Sequence, residues 1–249
     1  MGAGPRVTFP RSSARTPSLL QDFILALPIF VFSVVAHEYA HGAAAFRQGD
    51  DTAYMLGRLT LNPLPHIDPW MSLLVPALLW FGSDGRFTFG GAKPVPVNPR
   101  KYRNYRRGDI IVSGAGVVTN VAIALLCALL FALIGLAAPA LGGPALPVAD
   151  TVQRMMVLGI QLNLFLCFFN LIPIPPLDGS HIVYHLLPPA WGARYRSLQR
   201  FGFLPLLALL LLARPLIGVL MTPAYLARNY LLMLVLPYAV GDGWNIFQS

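Results

Sequence analysis

The chain has 249 residues, 56% of them hydrophobic and only 11% charged, with a mean hydropathy of +0.62. A soluble domain carries about 25% charged residues, so this composition cannot clothe a water-facing surface, and disordered, collagenous and disulfide-scaffold classes are excluded with it. The net charge of +8 lies mostly in connections between apolar runs, where Lys and Arg set membrane orientation rather than mark a nucleic-acid footprint.

Residues 1–18 are basic and rich in Ser and Pro and read as a flexible tail. The apolar run 19–46 follows; it is too long for a signal peptide, ends in His and Glu, and is followed by no small-residue cleavage site. The next apolar run, 69–81 (PWMSLLVPALLWF), covers only about 20 Å as a helix and contains Pro76, so it is expected to re-enter rather than cross a hydrocarbon core of about 30 Å. The polar connection 82–109 holds Arg86, Lys93, Arg100, Lys101, Arg103, Arg106 and Arg107 and is assigned to the cytoplasm. Within it, residues 86–97 alternate in character around a Gly-Gly turn signal. They predict a small hairpin whose proline-bearing edge can pair with another strand. Apolar runs at 110–138 and 152–174 come next, then a basic connection, 175–202, and a C-terminal helix pair at 203–221 and 224–240. The fold expected is an all-α polytopic membrane protein with five to six transmembrane helices, a re-entrant segment and a hairpin near the cytoplasmic face. Its parts are the tail 1–18, a membrane-embedded core 19–200 and the helix pair 201–249.

Cys127 and Cys167 both sit inside apolar runs and supply neither a disulfide framework nor a thiolate zinc site. The chemistry lies instead in VVAHEYAHGAAA. His37 and His41 are four apart, so on a helix both imidazoles reach one metal from one face. Glu38, the only glutamate in the chain, points about 100° away, where it can take a proton from a water without ligating. Two His and a carboxylate around zinc, with one open position, is a hydrolytic arrangement. Asp178 is the best third ligand, because Pro173, Pro175 and Pro176 break the preceding helix. The irregular backbone they create must be buried in protein or line a wet cavity. A rival cluster exists on the same stretch, since His181 and His185 are also four apart beside Asp178. His66, in LNPLPHIDP, reads as a loop residue with a hydrogen-bonded neighbour.

HEYAH on an early helix, followed by NLIPIPPLDG on a later one, resembles the site-2 protease family of intramembrane zinc metalloproteases. The resemblance runs from about Leu20 to Pro189 and takes in LNPLPHIDP, AKPVPVNP and SGAGVVTN, which are similar to stretches of the short bacterial members without PDZ or nucleotide-sensing domains. It implies one Zn2+ per chain held by His37, His41 and Asp178, with Glu38 as general base. It also implies that Asn120 and Asn170 hold the substrate backbone or the developing oxyanion. Where family members commonly have Gly-Pro-x-x-Asn, this chain has Gly116-Val117-Val118-Thr119-Asn120.

For ligands late in one helix and just past the end of another to meet at one depth, the two helices must run parallel. That requires 69–81 to turn back, the N-terminus to lie outside, and the metal to lie towards the cytoplasm. The function expected is an intramembrane zinc endopeptidase of a bacterial plasma membrane, cutting membrane-protein substrates whose helix can unwind, with lipid and not nucleic acid as its surroundings. A catalytically silent scaffold binding client helices, and a metal transporter, are the alternatives. All four zinc-site residues being present argues against the first, and the lack of repeated halves against the second.

Overall fold

Residues 19–82, 84, 90–241 and 244 are described by a computed structural model. Nine helices follow along these residues: α1 (Leu19–Gln48), the single turn α2 (Thr52–Met55), α3 (Val75–Gly82), α4 (Tyr105–Leu141), α5 (Leu146–Asn170), α6 (Asp178–Leu186), α7 (Pro189–Arg196), α8 (Leu204–Leu212) and α9 (Arg214–Val235). Four of them, α1, α4, α5 and α9, are long and apolar enough to cross a membrane.

Residue pairs fix how the long helices run. Along α1 and α5 the numbers rise together: a Cβ on Gly159 would sit 3.5 Å from Ile29, and four residues later Asn163 Nδ2 donates to Ser33 Oγ at 2.9 Å. Against α4 they run oppositely, with His37 beside Asn120 and His41 beside Val112. So α1 and α5 are parallel and α4 is antiparallel to both. Small residues let these backbones approach, as van der Waals packing in lipid requires. Ala36, Ala124, Ala128 and Cys127 interleave with Phe131, Ile160, Leu164 and Leu232 in the buried core. Leu125, Leu129, Leu133 and Leu136 line the outward face of α4, where exposure to lipid costs nothing.

The connection from α1 to α4 leaves and returns to one place, because Arg103 N–H donates to the Gln48 carbonyl at 2.8 Å. Between these points a π-helical turn, Pro69–Leu74, capped by Asp68, leads into α3. The far end of α3 reaches the first turn of α1, where Trp80 Nε1 donates to the Leu19 carbonyl and Phe23 lies against Trp80 and Phe81. By Gly91 the chain is back beside Met71, whose carbonyl accepts the Gly91 N–H at 2.9 Å.

Two expectations need correction. Among the described residues there is no strand; the first residues of the expected hairpin, 86–89, lie outside them. Residues 90–98 carry neither helix nor strand, and their alternate N–H groups are already used. Gly91 and Lys93 donate to the Met71 and His66 carbonyls, and Val95 donates to Glu38. The opposite edge includes Pro94 and Pro96, which have no N–H to offer. The second correction concerns 203–240. The break falls at Ala213 rather than near Pro223, with Pro215 in the first turn of α9 and Pro223 inside it. A proline fits a helix start at no cost, whereas lipid-embedded helices tolerate one inside. The nine residues of α8 reach only about 14 Å.

Candidate metal centre

The site forms where α1, α4 and α6 meet. His37 and His41 lie one turn apart on α1, both buried, with Nε2 atoms 3.0 Å from one another. Asp178 opens α6. After α5 ends, a tight series of turns (Ile174 N–H to Ile172 O, Leu177 N–H to Ile174 O) folds the proline-rich stretch back on the end of the helix. Gly179 permits this fold, since a Cβ there would lie 2.2 Å from the Leu171 carbonyl oxygen. The result puts Asp178 Oδ2 at 3.3 Å from His37 Nε2 and 3.4 Å from His41 Nε2.

These three atoms fit a zinc ion. Bonds of about 2.0–2.1 Å in a tetrahedron place neighbouring donors about 3.3 Å apart, which is the spacing seen. Chemistry agrees with distance. His41 Nδ1 donates to the Val112 carbonyl at 2.7 Å, which leaves its Nε2 as a lone pair directed at the other two donors. Convergent buried lone pairs and a carboxylate repel unless a cation lies between them. Among the described residues, His37, His41 and Asp178 are the group of His, Cys, Asp and Glu side chains whose donor atoms come close enough together to hold an ion.

α4 supplies the wall. Gly116 faces the histidines so closely that a Cβ would sit 2.4 Å from His37 Cε1 and 2.6 Å from both Nε2 atoms. One turn later Asn120, fully buried, places Nδ2 3.1 Å from His37 Nδ1. Valine in place of the family's proline at 117 leaves α4 unbroken through this stretch. Glu38 stands outside the donor set, its Oε2 accepting the Val95 N–H at 2.7 Å. Asn170 is the last residue of α5, and its Nδ2 donates back to the Leu166 carbonyl at 2.9 Å.

The remaining histidines do other work. His181 and His185 both face Asp109 of α4, which accepts from His185 Nε2 at 2.7 Å and lies 3.4 Å from His181 Nδ1. His66 is fully buried in its loop and donates from Nε2 to the Thr60 carbonyl at 3.0 Å. Asp109 and the backbone groups of Val95 and Val112 are the parts that residue patterns alone did not single out. The Gly116–Asn120 spacing of one helical turn did carry a signal.

The profile of Peptidase family M50 matches residues 136–212, a stretch that includes Asp178. A candidate zinc metalloprotease of Bacillus subtilis, YwhC, is 38% identical over 193 residues, covering 77% of this chain and 81% of that protein. Rip2 of Mycolicibacterium smegmatis, named in the same way, is 33% identical over 197 residues, 79% of this chain and 70% of its own. Rip2 of Mycobacterium tuberculosis is 30% identical over 193 residues, 76% of this chain and 67% of its own. No solved structure matches. With a zinc-shaped His-His-Asp centre inside a bundle of apolar helices, and relatives of this kind covering most of its length, the chain belongs to peptidase family M50, the site-2 protease family of zinc metalloproteases.

Proposed function

We propose that this metalloprotease hydrolyses peptide bonds inside the membrane, in transmembrane or membrane-proximal segments of other proteins, with Glu38 as its general base. The observation that carries this reading is the division of labour on α1. His37, His41 and Asp178 point donor atoms at one centre, while Glu38, the neighbouring residue, is half-buried and directs its carboxylate elsewhere. When bound there, zinc supplies an acidified water and a Lewis acid for the scissile carbonyl. Glu38 would accept the proton of the attacking water and pass it to the leaving amide nitrogen. The Val95 N–H holds Oε2, which fixes the carboxylate in place. Asn170, at the end of α5, is the residue we assign to the substrate backbone.

A helical substrate hides its carbonyls in i→i−4 bonds, so it must unwind locally to be cut. The edge formed by Gly91, Lys93 and Val95 is committed to the protein's own carbonyls and to Glu38. A substrate strand therefore has to pair elsewhere or displace these bonds. The return of the 49–102 connection to its starting point supports the re-entrant 69–81 that goes with an N-terminus outside and the metal near the cytoplasm. The basic connection before α4 agrees with that side. The cell membrane, probed on intact cells with an impermeant thiol reagent, gives the test. With Cys127 and Cys167 replaced, a cysteine at Ser12 should label and one at Thr60 or Asn104 should not.

The decisive experiment on the chemistry is Glu38→Gln in purified protein, assayed for zinc content and for cleavage of a transmembrane test substrate. Cleavage should vanish while one zinc per chain remains. Loss of metal together with activity would make Glu38 a ligand, and unchanged cleavage would end the mechanism.

A further inference from the structure

His37 and His41 offer Nε2 to the same centre, yet their far nitrogens meet different partners. A neutral imidazole that gives its Nε2 lone pair to a metal carries its proton on Nδ1 and needs an acceptor there. His41 has one in the Val112 carbonyl at 2.7 Å. At His37 the neighbour is the Asn120 carboxamide, with Nδ2 3.1 Å from Nδ1 and Oδ1 buried without a partner. An NH2 group cannot accept the proton that metal binding places on Nδ1. The same carboxamide turned by half a turn about its Cβ–Cγ bond brings the oxygen to that position.

Resting on the zinc reading above, we infer that Asn120 is a positioning residue for His37. In the zinc-loaded protein its Oδ1 accepts from His37 Nδ1–H and so fixes the tautomer and ring plane of that ligand, and it does not contact substrate. Asn120 does for His37 what the Val112 carbonyl does for His41. Full burial of Asn120 suits this role, because a group that meets substrate has to be reachable from outside. The spacing on α4 acquires a physical meaning as well. Gly116 clears room over the imidazoles, and the residue one turn later supplies the acceptor.

The test compares Asn120→Asp with Asn120→Leu, measuring zinc affinity by competition with a chromophoric chelator and the kcat and KM of zinc-saturated enzyme. Asp keeps an acceptor and should hold zinc at least as tightly as the wild type with kcat close to normal. Leu removes the acceptor and should weaken zinc about 10- to 100-fold, the usual cost of losing such a partner, with KM unchanged. A substrate or oxyanion role gives the reverse pattern: zinc affinity unchanged in both, kcat down about 10²–10³-fold in Leu, and Asp no better because its charge repels the oxyanion. That pattern would overturn the inference. If Asn120→Leu does not fold, kcat of Asn120→Asp decides alone, near-normal supporting the assignment and collapse refuting it. Absence of zinc from the wild type would instead defeat the metal centre itself, so the two failures are distinguishable.

Discussion

Two clusters in this molecule have the same composition, a pair of histidines four apart on one helix and an aspartate from another, and they are built for opposite ends. In the first, His37, His41 and Asp178 bring three acceptor atoms to separations of 3.0–3.4 Å. In the second, His185 and His181 present different nitrogens, Nε2 and Nδ1, to one oxygen of Asp109. The first is short of a cation. The second is internally paired, each histidine able to donate to the carboxylate, and it clamps α6 to α4 with Tyr105 and Tyr184 packed edge-on against His185. Composition and spacing do not make a metal site; what matters is whether the atoms that converge are all acceptors. The clamp also serves the site, because α6 begins with Asp178.

The sharpest way to break this comparison is to delete one carboxylate from each cluster. Asp178→Ala should strip zinc from the purified protein and abolish cleavage, while Asp109→Ala should leave zinc bound and lower the melting temperature. Elemental analysis alongside a thermal melt reads both. Zinc that survives Asp178→Ala and leaves with His181 or His185 would exchange the roles of the two clusters.

Gly116→Ala probes the first cluster from the α4 side. A methyl 2.4–2.6 Å from both imidazoles cannot be accommodated without moving them. Overpacking of this kind costs about 1–3 kcal/mol, which taken from metal binding is roughly 5- to 150-fold in zinc affinity. An unchanged affinity would show that α4 yields instead, and that its wall does not shape the centre.

The sequence and the fold divide along the same line. His37 and His41 were legible as a pair because their geometry is local: a single helix turn brings the imidazoles together whatever the rest of the chain does. Asp178 was legible because prolines in a membrane segment demand a buried, irregular turn. Its rivalry with His181 and His185 was not resolvable, because the deciding partner, Asp109, comes from a helix start some seventy residues away among arginines and carries no pattern of its own. Val95 and Val112 act through backbone atoms, which side-chain identity does not report. The boundary between α8 and α9 was misplaced for a related reason. Both Pro215 and Pro223 are helix-compatible in lipid, and only packing of Leu206 and Leu209 against Met221 and Ala224 chooses between them.

The smaller effects lie within the second cluster. His185→Ala leaves a buried carboxylate without its short bond, at 2.7 Å between side chains that are 5% and 6% exposed. Orphaning such a group costs on the order of 1–3 kcal/mol, a clear drop in melting temperature with zinc retained. His181 reaches the same oxygen at 3.4 Å from a ring that is 37% exposed, so water can replace it. The contribution of a pair this open falls in the range of about 0.2–1 kcal/mol before screening. His181→Ala should therefore shift the melt much less than His185→Ala, and the double variant should cost more than the sum of the two, because His181 is the neighbour left to move in when His185 is removed. Equal single effects that simply add would mean that the carboxylate divides its bonding evenly between the two rings. The clamp would then be a three-centre site after all, closer in kind to the metal centre than its distances suggest.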